Sequence, residues 1–139
     1  MSRAAQLTCV AIGGRGLLIA GKPGCGKSSL ALALIDRGAV LVGDDGVILA
    51  QQQGKLVASP HPNIAGKLEV RNLGLLDFPV SPPVPVAMIL VLDPEAPRFI
   101  EQPETVVIEG VNMPQVRLWP DGPVLALKAE LALARFGQA

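Results

Sequence analysis

The chain has 139 residues, half of them hydrophobic, and its 12 basic residues balance 12 acidic ones, which suits one domain with a real core and excludes a disordered chain. The even charge offers no basic excess for nucleic acid and no charged run for a membrane surface, and neither a transmembrane-length apolar run nor a signal-peptide h-region is present. Two cysteines, Cys9 and Cys25, make no disulfide framework and no metal spacing, so a cytoplasmic protein is expected.

In chain order, Thr8 to Ile12 is a short β-branched and apolar run. Gly13-Gly14-Arg15-Gly16 then turns the chain into a strand from Leu17 to Ala20, and the two form a hairpin. Gly21-Lys22-Pro23-Gly24-Cys25-Gly26-Lys27-Ser28 follows, a full match to the pattern G-x-x-x-x-G-K-[ST], between an apolar strand and a helical run from Ser28 to Arg37. Glycines at 21, 24 and 26 let backbone N–H groups turn inward around an anion. Lys27 supplies a point charge for the outer phosphates, the Ser28 hydroxyl suits Mg²⁺ beside them, and the positive end of the helix adds to the attraction. Residues 21–28 with Ser29 are therefore expected to bind a nucleotide. Cys25, beside that helix end, is expected to be alkylated faster than Cys9 and to be shielded by ATP.

The helix is apolar on nearly every side and is expected to be largely buried; Arg37 and Gly38 stop it. Ala39 to Val42 forms a short buried strand ending in Gly43-Asp44-Asp45. Strand, loop, helix and strand make a βαβ unit with two parallel strands, so Asp44 and Asp45 emerge on the rim that carries the phosphate loop. Two adjacent carboxylates beside phosphates repel unless a cation, a proton or a substrate donor lies between them, which points to Mg²⁺ and a catalytic carboxylate. A solvated Asp-Asp-Gly turn is the alternative.

Val47 to Ala50 and Lys55 to Ala58 form a hairpin, and residues 59–63 a loop whose His61 reads as a surface residue. Leu68-Glu69-Val70-Arg71 alternates, placing both charges on one face; the pattern alone favours a polar sheet face. Phe78 to Pro85 is a proline-rich connector or sheet edge, Val86 to Leu92 a strong buried strand, and Val106 to Ile108 a further short one. Val124 to Arg135 is a terminal helix between Pro123 and Gly137, with Leu127, Leu131 and Ala134 expected to face the core. No repeat or linker divides the chain, so residues 1–139 are expected to form a single catalytic domain.

The phosphate loop, the Asp44-Asp45 pair and the segment Ile64-Ala65-Gly66-Lys67-Leu68-Glu69-Val70-Arg71-Asn72-Leu73-Gly74-Leu75-Leu76-Asp77 together resemble bacterial HPr kinase/phosphorylase, most closely its short proteobacterial forms. The resemblance implies an α/β fold with a P-loop core of the HPr kinase and phosphoenolpyruvate carboxykinase type, a mixed sheet with flanking helices. It implies ATP and Mg²⁺ as cofactors and a serine of an HPr-like phosphocarrier as acceptor. Asp44 matches the residue that takes the serine proton, with Lys27 on the phosphates; Asp45 and Glu69 match the metal surroundings together with Ser28, and Arg71 the arginine of the signature. A homo-oligomer is expected.

The chain departs from the family pattern in three places. Gln6 stands where the family usually has a histidine close to the catalytic aspartate; glutamine can hydrogen-bond to Asp44 but cannot shuttle a proton. Asn72 replaces a usual glycine, which bears on the backbone beside the metal site. The arginine-glycine-rich phosphate segment of long family members is absent. Serine phosphorylation is therefore expected with little phosphate-driven reversal. A small-molecule P-loop kinase and a non-catalytic nucleotide-binding regulator are the competing readings. Against the former, Arg71, Arg98 and Arg117 are scattered in sequence; for the latter, Gln6 is the point of support.

Overall fold

The computed structural model describes residues 2–139. Its elements are β1 (Ser2–Ala5), β2 (Thr8–Ile12), β3 (Arg15–Gly21), α1 (Lys27–Asp36), β4 (Val40–Gly43), β5 (Val47–Gln52), β6 (Lys55–Pro60), β7 (Lys67–Val70), β8 (Gly74–Asp77), β9 (Val84–Leu92), β10 (Glu104–Ile108), β11 (Val111–Leu118) and α2 (Leu125–Phe136). Most of the strands form one mixed sheet in the order β1-β5-β6-β9-β3-β2-β4, with β11 also on β9 and β10 beyond it; β7 and β8 form a separate hairpin.

β9 ties the two halves of the chain together. Val84 and Pro85 pair antiparallel with β6, while the rest of the strand runs parallel to β3 and β11. It is buried on both faces, which is why its sequence is a near-continuous apolar run rather than an alternating one. Leu17, Ile19, Met88 and Leu90 face a core shared with Leu30 and Leu34 of α1 and Leu133 of α2. Leu18, Val86 and Ile89 face a second core with Cys9, Val47, Leu49 and Met113. Among the described residues no helix is long and apolar enough to cross a membrane.

Three expectations are corrected. β3 and β4 run in the same direction, as a βαβ crossover requires, but they are not neighbours: β2 is antiparallel to both and lies between them. One edge of β3 is taken by β2 and the other by β9, so β4 adds outside β2. α1 is covered on one side only, burying Leu30, Ala31 and Leu34 while Ala33 stays exposed. Apolar composition all round gave no information on which face the sheet would take. In α2 the buried residues are Ala129, Ala132 and Leu133, whereas Leu131 is 69% exposed and Leu127 41%. The small alanines permit close approach, and Arg37, just past the end of α1, pairs with Glu130 at 2.9 Å in the same orientation.

The sequence pattern also misses β1, β8 and β11. In β11, Pro114 argues against a strand, yet parallel pairing with β9 begins only at Gln115, so the missing N–H costs no bond on that side. The β10–β11 turn is Glu109-Gly110, both at positive φ (49° and 77°), a two-residue hairpin turn.

Candidate active site

The loop after β3 and the turn after β4 meet because β3 and β4 point the same way across β2. Between them lies an open cavity of about 520 Å³ lined by residues of the phosphate loop and by Gln6, Thr8, Asp44, Asp45, Glu69 and Arg71. The loop itself contributes Gly21, Pro23, Gly24, Gly26, Lys27, Ser28 and Ser29 to that lining. A Cβ at Gly21 would crowd Cys25 Sγ at 2.5 Å and the Leu92 carbonyl oxygen at 3.2 Å, at φ +152°, so a side chain there would be both crowded and strained. α1 begins with no side-chain cap and no acidic residue in its first turn. Its leading N–H groups therefore face the cavity with their hydrogen-bonding capacity unspent, the arrangement that favours an anion. Lys27 Nζ donates to the Gly21 carbonyl oxygen at 3.2 Å, holding the ammonium across the mouth of the loop.

The aspartate side is organised by a tight turn. A Cβ on Gly43 would collide with the Gly46 carbonyl oxygen, so only glycine allows the chain to fold back so sharply. Asp45 follows in the left-handed region at φ 57° and is exposed, while Asp44 points inward and is half-buried. Asp44 Oδ1 accepts from Ser28 Oγ at 2.6 Å and from Thr8 Oγ1 at 3.1 Å; its Oδ2 accepts from the Glu69 N–H at 3.0 Å. Hydrogen bonds to a carboxylate are the strong kind, roughly 1.5–3 kcal/mol when well made. Asp44 thus joins α1, β2 and β7 at one point.

Glu69 lies on the exposed face of β7 while Leu68 beside it is fully buried, as the alternation requires. Asn72 has φ +74° in the turn closed by Leu73 N–H to the Val70 carbonyl oxygen, 2.9 Å. Asparagine is among the residues that tolerate that backbone, so the turn next to Glu69 and Arg71 keeps its shape without glycine. Gln6 lines the cavity, but the hydrogen bonds to Asp44 come from Thr8, Ser28 and Glu69, not from glutamine. Thr8 is the cavity residue that sequence reading passes over, because a threonine opening a β-branched run carries no signal of its own. His61 stays in its loop, accepting the Asn63 N–H at 3.2 Å.

Some expected site residues are not brought to the cavity. Lys22 is exposed, and the Cys25 side chain turns inward to pack on the core. Arg98 and Arg117 line a different groove with Phe99 and Trp119, and of these three arginines Arg71 lines the cavity. Arg117 is held protonated by Glu104, whose oxygen takes its Nε–H at 2.9 Å, and by Asp93 at 3.2 Å. Among the described residues no three His, Cys, Asp or Glu side chains converge into a metal cage.

The family model for the HPr Serine kinase C-terminal domain matches residues 2–81. The chain belongs to that family. The matched span of this HPr serine kinase C-terminal domain member holds every residue of the cavity, and stops at the connector before β9. The fold continues the likeness. The structure of the Hpr(Ser) kinase/phosphatase from Coxiella burnetii superposes with a TM-score of 0.85 and 28% identity, over 96% of this chain and 95% of that one. An HPr kinase/phosphorylase of Clostridium tetani is 50% identical over 66 residues, 48% of this chain and 22% of the relative. One of Mycoplasma mycoides is 40% identical over 65 residues, 47% of this chain and 21% of the relative. The matches thus span about a fifth of the length of these curated relatives.

The two thiols differ sharply. Cys9 is fully buried, and burial pushes its thiol well above the ordinary cysteine range, whereas Cys25 is half-buried at the loop. Iodoacetamide is expected to modify Cys25 at least ~10-fold faster than Cys9 in the folded protein, with nucleotide slowing the reaction. Equal labelling, followed by peptide mass spectrometry, would show that the loop opens no better than the core.

Proposed function

We propose that this chain is the catalytic domain of a kinase that transfers the terminal phosphoryl group of ATP, with Mg²⁺, to a serine of an HPr-like phosphocarrier protein. The observation that carries the reading is the 2.6 Å bond from Ser28 Oγ to Asp44 Oδ1, which joins the phosphate loop to the carboxylate pair. Family membership and the HPr kinase/phosphorylase relatives support the same reaction.

In this reading the N–H groups at the start of α1 and the Lys27 ammonium hold the outer phosphates. Ser28, Asp45 and Glu69 hold the metal, and Ser29 flanks the phosphates. Bound Mg·ATP supplies the phosphoryl group and the charge neutralisation that its transfer needs. Asp44 takes the proton of the acceptor serine. A carboxylate has about four acceptor positions; Oδ1 spends two on Ser28 and Thr8, and Oδ2 one on Glu69. One lone pair on Oδ2 is left for the incoming hydroxyl, so the base is aimed as well as present. A small-molecule kinase would need arginines gathered around the transferred phosphate, and among the described residues only Arg71 lines the cavity.

The domain reading extends over 1–139, because β9, beyond the matched span, is hydrogen-bonded to β3 and β6 within it. A cytoplasmic location and a homo-oligomer go with this proposal; sedimentation analysis reads the assembly.

The test is incubation with labelled ATP, Mg²⁺ and purified HPr-like carriers, with the modified residue located by mass spectrometry. Absence of labelled serine on every carrier, with nucleotide binding intact, favours the non-catalytic regulator. The reverse reaction, driven by inorganic phosphate, requires the base to hand a proton back. Gln6 lines the site without a titrating group. Gln6→His is expected to raise phosphate-driven reversal by ~10-fold or more and forward transfer far less. Efficient reversal by the natural protein, or an equal change in both rates, would overturn this account of Gln6.

A further inference from the structure

We propose that Thr8 is a positioning residue for Asp44, acting on the phosphotransfer proposed above and resting on that reading. Among the described residues only Thr8 and Ser81 are buried polar side chains, and Thr8 is fully inaccessible. A buried hydroxyl is costly unless its hydrogen-bonding capacity is used. Thr8 spends its one proton on Asp44 Oδ1, 3.1 Å away, and accepts the Asp45 N–H at 3.4 Å. One side chain therefore touches both members of the carboxylate pair, at the side chain of the first and the backbone of the second.

The sheet explains why Thr8 reaches them. β2 lies between β3 and β4, and its pairing with β4 shifts register between Cys9 and Val10, so that Cys9 faces Gly43 and Val10 faces Leu41. Irregularities of this kind re-aim side chains next to active sites. Here it sets Thr8, the first residue of β2, against the turn that follows Gly43. The β-branched side chain is stiff about χ1, so its hydroxyl is held in one direction at little further cost.

The consequence is chemical. With Oδ1 occupied by Thr8 and Ser28, Asp44 can rotate only by giving up two bonds, and Oδ2 stays turned toward the acceptor side. Loss of the Thr8 hydroxyl leaves Ser28 as the sole donor to Oδ1 and frees the Asp45 amide. Ground-state nucleotide binding rests first on the loop and Lys27; Thr8 bears on it only through the Asp45 backbone, which leaves the Asp45 carboxylate free to reach the metal. The expected signature is a fall in kcat with KM for ATP held.

The experiment compares the natural chain with Thr8→Val, which keeps shape and strand preference without the hydroxyl, and Thr8→Ser, which restores the hydroxyl. Steady-state transfer from Mg·ATP to a purified HPr-like carrier is measured beside amide exchange at Asp45 and the thermal midpoint. Thr8→Val is expected to lower kcat ~10–100-fold, leave KM for ATP within ~2-fold and speed Asp45 exchange, with Thr8→Ser close to the natural protein in all three. Unchanged Asp45 exchange in Thr8→Val overturns the proposal whatever the activity. So does unchanged kcat with faster exchange, which makes the hydroxyl structural only, or failure of Thr8→Ser to restore the rate. A natural chain that transfers nothing overturns instead the kinase reading, and the catalytic consequence with it, while Asp45 exchange still reports whether Thr8 holds the turn.

Discussion

Lys27→Ala is expected to take nucleotide affinity below detection, a loss of ~100-fold or more in binding, while the protein stays folded. Lys27 belongs to neither apolar core, and its hydrogen bond runs from Nζ to the Gly21 carbonyl oxygen, at 3.2 Å. Removing a partly buried bond of this kind costs roughly 0.5–1.5 kcal/mol, a small change in unfolding midpoint. The ammonium, by contrast, is the one lysine charge lining the cavity, where several phosphate charges would otherwise sit beside Asp44, Asp45 and Glu69. Titration calorimetry with Mg·ATP, together with a thermal melt, separates the two effects. A folded variant that binds nucleotide as well as the natural chain removes the phosphate assignment of the loop.

Asp44→Asn is expected to reduce serine phosphorylation ~10³-fold or more, since general-base contributions run to ~10²–10⁴. The substitution can keep one amide oxygen in the place of Oδ1, still accepting from Ser28 and Thr8. The amide nitrogen then replaces Oδ2, where it confronts the Glu69 N–H as donor against donor. The free lone pair is lost, and Glu69 is pushed from its place. Mg·ATP binding should therefore weaken, by no more than ~10-fold for one such bond. A variant that loses metal affinity outright while the residual transfer remains substantial would exchange the roles of Asp44 and Asp45.

Several parts of this site were legible because they are local. The residues from Gly21 to Ser28 announce a phosphate loop through glycine spacing and the Lys-Ser pair, since the backbone reversal they encode needs no help from elsewhere. Gly43-Asp44-Asp45 was readable as a strand end on the same rim, because the crossover fixes strand direction whatever lies between the strands. The alternation of Leu68 and Glu69 gave the correct faces of β7. Asn72 stood out as a departure, and its positive φ shows why the departure is tolerated.

What the sequence by itself determined was therefore the glycine-rich turn from Gly21 to Ser28 between strand and helix, the direction of the strands that flank it and the apolar run of β9, each set by neighbours along the chain. The tertiary structure alone decided that β2 separates β3 from β4, that α2 buries Ala129 rather than Leu131, and that Asp44 draws its partners from Thr8, Ser28 and Glu69. Those partners lie 36, 16 and 25 residues from it along the chain. A hydroxyl at such a distance has the same local propensity whether it faces solvent or a carboxylate. Only the order of strands in the sheet, with β2 between β3 and β4, brings Thr8 under the aspartate turn.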